Sequence, residues 1–181
     1  MTTHRLSMES SKRGLKALYR GTVYGLQLLI WLMLGLYLAY KLFERQHMVD
    51  VLPASLEPTS VLLIDGESGV REGCGVAVWR MSAHTRWALH QDALGFLAQA
   101  RQARGYSEPY YRFEPWQPSP VPDELNADGG WLSLACASPS ERLEQLINVA
   151  MQSPGSFYSI KPEGILLLIP AQGLIVFGYY G

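Results

Sequence analysis

Cys74 and Cys136 are the only cysteines in the 181 residues, and a thiol can form a disulfide, hold a soft metal or attack an electrophile. The metal reading finds no support, because the chain has no CxxC, no HxxH and no close set of His with carboxylates. No metal and no cofactor are expected. His84 and His90 lie six residues apart, which turns them to different sides of a helix. His90 reads as a core or edge histidine, and His4 and His47 fall in flanking segments. Gly66-Glu67-Ser68-Gly69 is not the GxSxG elbow and occupies a turn signal rather than a strand-to-helix corner. Asp65, Glu67 and Glu72 lack the spacing of a calcium loop and read as solvated charge. With no catalytic constellation, the chain is not expected to be an enzyme.

The other unusual group is Tyr106 to Pro122, where Tyr106, Tyr110, Tyr111, Phe113 and Trp116 interleave with five prolines. Strand alternation over Tyr110 to Trp116 would send Tyr111 and Phe113 to one face and Tyr110, Arg112 and Trp116 to the other. Tyr, Arg and Trp are the types enriched where binding energy concentrates, so Tyr110, Arg112 and Trp116 are the expected partner-binding residues.

The elements that must carry these groups begin with a membrane segment. Val23 to Tyr40 is uncharged, and with Lys41 snorkelling and Leu42 and Phe43 extending it, the run reaches the ~20 residues that a hydrocarbon core requires. Tyr24, Tyr37 and Tyr40 sit where aromatic rings favour the headgroup level. The run is longer than the apolar core of a cleaved signal peptide and lacks small residues after it, so it is read as a retained anchor. Residues 1–22 carry a local net charge of +4, which keeps the N-terminus cytosolic and puts the rest on the far side of an inner membrane. Residues 23–43 thus contact lipid. Gly21 and Gly25 form a GxxxG through which two spans could approach as a homodimer. From Ala54 onward the net charge is −5, a field that repels phosphates and argues against nucleic acid.

Pro53 and Pro58 mark residues 44–58 as an extended linker, with a folded extracytoplasmic domain over 59–181. Strands are expected at Val61 to Ile64 and Gly75 to Trp79, forming a hairpin across the Asp65 to Gly69 turn, and then at Tyr110 to Trp116, Trp131 to Cys136, Phe157 to Ile160, Ile165 to Ile169 and Leu174 to Tyr179. One helix runs from a Ser82 cap to Arg104 and stops at Gly105, with Ala83, Trp87, His90, Leu94 and Leu97 facing inward. A second starts with Ser138 as cap, Pro139 in the first position and Glu141 completing a capping box, and buries Leu143, Leu146, Ile147, Ala150 and Met151 before Pro154-Gly155.

This order is that of an α+β, ferredoxin-like split βαβ sandwich, with two helices on one face of an antiparallel sheet and an extra hairpin strand. In that topology Cys74 and Cys136 end neighbouring antiparallel strands on the helix-covered face, and a disulfide between them is expected, in keeping with an oxidising compartment. The functional expectation is a membrane-anchored extracytoplasmic protein-interaction module. It would be an envelope-complex subunit or assembly factor, or an immunity-type inhibitor of a soluble toxin effector. An envelope sensor or small-ligand-binding domain is the alternative.

Overall fold

A computed structural model describes residues 3–68, 73–122, 125 and 132–181. The chain divides into two compact units, Met1–Arg45 and Gln46–Gly181. The first is entirely helical where described, as part of α1, Thr3–Asp50. Over Tyr19–Asp50 this helix is long and apolar enough to cross a membrane. Its large apolar side chains, including Leu28, Trp31, Leu36 and Phe43, are exposed. Water would not tolerate such a surface on an isolated helix, since contiguous apolar area of this size marks contact with lipid or protein.

The expected linker is not extended. Without a proline before Pro53, nothing stops the helix, and α1 continues to Asp50. Val51, Leu52 and Leu56 are then buried in the second unit. The Arg104 guanidinium holds this turn, with Nη2 donating to the Pro53 carbonyl at 3.0 Å and to the Leu56 carbonyl, and Nε donating to Leu52 at 3.3 Å. The folded unit therefore starts before Thr59.

The second unit is a six-stranded antiparallel sheet in the order β1-β2-β6-β5-β4-β3. The strands are β1 (Pro58–Ser68), β2 (Gly73–Met81), β3 (Gln117–Pro118), β4 (Phe157–Lys161), β5 (Gly164–Ile169) and β6 (Leu174–Tyr180). The β1–β2 hairpin is present but longer than expected. Asp65, Gly66 and Glu67, expected in its turn, pair within it opposite Val76, Gly75 and Cys74, and Gly69 and Glu72 lie outside the described residues.

Two helices cover this sheet, α2 (Ala83–Ala98) and α4 (Glu141–Gln152), with a short α3 (Leu132–Ala135) between them. They do not share a face. Leu89 and Leu97 of α2 pack with Ala77, Trp79, Leu168, Ile175 and Phe177, whereas Ile147, Ala150 and Met151 of α4 pack with Val76, Val78, Leu167 and Val176. Alternate residues of β2, β5 and β6 are thus buried on both sides, which explains why these strands read as unbroken apolar runs. The ferredoxin-like arrangement fails on this point and on two of its strands. The segment from Tyr110 to Trp116 is not a strand: it starts in a 3₁₀ turn at Pro109–Tyr111 and runs on irregularly, with the Glu114 N–H donating to the Ile160 carbonyl at 2.7 Å before Gln117–Pro118 pairs with β4, because its prolines lack ladder donors. The proposed strand Trp131 to Cys136 is helical at Leu132–Ala135, and Trp131 lies outside the described residues.

Candidate functional site

The two cysteines meet as expected, but not between two strands. Their Cα atoms are 5.7 Å apart and the sulfurs are at bonding distance, joining β2 to the turn after α3. Leu134 of α3 packs with Val76 and Val78, so the face assigned to Cys74 was right although the partner element was not. Asp65 reinforces the link by accepting a hydrogen bond from the Ser138 N–H at 2.7 Å. Its carboxylate is a clamp rather than a free turn charge.

The partner-binding trio divides. Trp116 is buried, its Nε1 donating to the Ala100 carbonyl at 2.7 Å, so it does not share an open face with Tyr110 and Arg112. Phe113 and Trp116 point inward three residues apart, the period of an irregular chain rather than a strand. Tyr110 is 41% exposed and Arg112 is also exposed.

Tyr110 belongs to a different group that the sequence did not indicate. Its ring lies over the Lys161 ammonium at 4.7 Å, with the Tyr111 and Phe177 rings at 5.7 and 5.8 Å. Its hydroxyl donates a hydrogen bond to the Glu163 carboxylate. That bond, with burial adding to it, pushes the Tyr110 phenol up to about 12. Lys161 is buried, and desolvation lowers its affinity for a proton while Glu163 partly opposes the shift. Its Nζ donates to the Pro162 carbonyl at 2.8 Å. Glu163 has φ +57°, left-handed backbone in the tight β4–β5 turn where glycine is usual. Tyr111 stacks on Tyr106 at 3.7 Å between ring centres, and the Tyr106 hydroxyl shares a 2.9 Å hydrogen bond with His47 Nδ1.

These groups border a cavity of about 230 Å³, which His47, Met48 and Tyr179 also line. A concave site with convergent polar groups, shifted proton affinities and a strained backbone is where ligand binding is ordinarily sought. A Tyr-Lys-Glu set spread over 53 residues has no local motif, so only the fold could unite it.

A second surface arises because α2 is turned from its expected orientation. Thr85, Leu89 and Leu97 face the sheet, while Trp87 is 62% exposed, Leu94 is 56% exposed and His90 is solvent-facing. The helix also ends earlier than Arg104, with a break at Asp92, whose carboxylate accepts from the Gly95 N–H. Trp87 borders a groove of about 560 Å³ beside Pro170 and Ala171, and Val149 of α4 borders another of about 410 Å³ on the other side of Ala171. Among the described residues no group of three or more His, Cys, Asp or Glu is placed to hold a metal. Comparison of the chain with protein-family models, with curated proteins and with solved structures returns no significant match.

Proposed function

We propose that this chain is a single-pass inner-membrane protein whose domain works outside the cytosol as a protein-interaction module, either a subunit or assembly factor of an envelope complex or an immunity-type inhibitor of a toxin. The observation that carries the location is the apolar helix Tyr19–Asp50, none of whose most apolar stretch is buried in the protein. The cysteine pair supports the same location, since disulfides persist in oxidising compartments. The basic N-terminus supplies the orientation. An interaction role is supported by Trp87 and Leu94, exposed on α2, and by exposed Arg112, because residue types that carry binding energy lie open there.

Crosslinking in intact cells followed by mass spectrometry of the membrane fraction tests the role. An assembly subunit yields integral membrane partners. An immunity protein yields one tightly held effector, and its deletion kills only when that effector is present. If Trp87→Ala and Arg112→Ala leave every crosslink intact, these surfaces are not the contact. The 230 Å³ cavity favours a second reading, a sensor or small-ligand-binding domain.

A further inference from the structure

The cavity beside Lys161 joins a buried cation to an anion carried on left-handed backbone. Lys161 is 9% exposed, with its ammonium beneath aromatic rings and one carbonyl acceptor at Pro162, whereas an ammonium has three donors to place. Glu163 keeps a left-handed backbone that costs any residue with a Cβ, and its carboxylate is held in place by Tyr110. Tyr110 therefore spans the pair, ring on the cation and hydroxyl on the anion. A small zwitterion would complement both ends.

The chain also limits where this cavity can be. His47 and Met48 line it, and they follow Phe43, the last residue of the expected span, by four and five residues. Four residues reach at most ~14 Å even fully extended. The headgroup layer on each side of a bilayer is roughly 5–8 Å deep. The tether therefore holds that wall of the cavity to within ~14 Å of the end of the expected span.

We infer that the cavity binds a phosphoethanolamine group, with its phosphate on the Lys161 ammonium and its amine on the Glu163 carboxylate. This rests on the membrane-anchored reading of the chain and gives the ligand-binding alternative a substrate class. The same group is presented by a phospholipid and by soluble glycerophosphoethanolamine. Choline headgroups would bind less well, because a quaternary ammonium has no N–H for Glu163. Glycerol headgroups would bind less well because they bring no cation to it.

The test uses the full chain reconstituted in vesicles of equal parts phosphatidylethanolamine, phosphatidylcholine and phosphatidylglycerol, then transferred to detergent for native mass spectrometry. One phosphatidylethanolamine should be retained in excess over the other two. Glu163→Gln and Lys161→Met should each lower that retention by about tenfold or more, as loss of a charge-assisted hydrogen bond implies. Glu163→Gln keeps an acceptor for Tyr110, so its melting temperature, measured alongside, separates a lost ligand from a lost fold. Added glycerophosphoethanolamine distinguishes the sources: displacement at equimolar concentration makes the soluble ester the ligand, and retention against a large excess makes it the lipid. Equal retention of the three lipids, or retention unchanged in both variants, overturns the inference. Alkaline carbonate extraction of the same vesicles reads the anchor separately. Release of the chain refutes the anchor and the inference with it, whereas an inserted chain without lipid preference refutes the headgroup site alone.

Discussion

Tyr110 and Trp116 were expected to act alike and do opposite things. Trp116 is enclosed with its N–H satisfied by Ala100, so Trp116→Ala should destabilise the domain by ~3–5 kcal/mol in denaturant unfolding, the usual cost of emptying a large aromatic site. Tyr110 is tied to Glu163, and its phenol is pushed up to about 12 from the usual 10. The folded state therefore favours the protonated phenol. Its contribution is complete below the unfolded value and is lost as pH rises from about 10 toward 12. Burial also raises the Tyr106 and Tyr158 phenols, so an ultraviolet titration of phenolate should show the latest step of the parent move to lower pH in Glu163→Leu while other late steps stay; an unchanged latest step would assign it elsewhere. Lys161 has the opposite sign. Its folded proton affinity is lowered by burial, so its charge costs stability at neutral pH, a cost relieved as pH rises through its folded value toward 10.5. The sequence identified Tyr110 as noteworthy from its neighbours, but its partners Lys161 and Glu163 lie in a distant hairpin and carry no local sign of the pairing.

At the scale of elements, what was legible depended on how one-sided the burial is. The stripe on α4 was legible because only one face is apolar, and Ile147, Ala150 and Met151 are buried as its spacing indicates. Its cap was misplaced by two residues, since Ser140 and not Ser138 accepts from the Leu143 N–H. On α2 apolar residues occur all round, so periodicity could not select the inner face, and the aromatic side was chosen where Leu89 and Leu97 are in fact buried. Paired substitutions distinguish the two faces. Leu89→Ala should cost ~2–5 kcal/mol, whereas Trp87→Ala should stay within about 0.5 kcal/mol, as exposed positions do. The turn after α1 was misread as a linker because its prolines are conspicuous and its buried residues Val51, Leu52 and Leu56 lie in a stretch too short to show a period. Arg104 closes it onto the domain by donating to the carbonyls of Leu52, Pro53 and Leu56. Arg104→Met should cost ~1.5–3 kcal/mol, the range for hydrogen bonds from a charged donor, with Leu52 amide exchange accelerating in parallel.

For the molecule as a whole, the sequence conveyed the α+β class, the apolar N-terminal helix and the cysteine pairing, because each rests on composition or on a pair with no alternative partner. The layer arrangement was legible but missed: the unbroken apolar runs of β2, β5 and β6 mark strands covered on both faces, whereas two helices on one side would have left an alternating pattern. The cysteine link closes a separation of 62 residues and ties α3 to β2. Reducing it should lower stability by on the order of 4 kcal/mol in the chain-entropy account, read as a shift of the denaturant midpoint. Such bonds persist where thiols are oxidised, so the proposed location rests on which side of a membrane the domain lies. Topology is therefore the decisive measurement: alkaline phosphatase and a cytosol-active reporter are each fused after Gly181 and assayed in intact bacterial cells. Anchoring with the domain outside predicts an active phosphatase and a silent cytosolic reporter; a silent phosphatase with an active cytosolic reporter would contradict it.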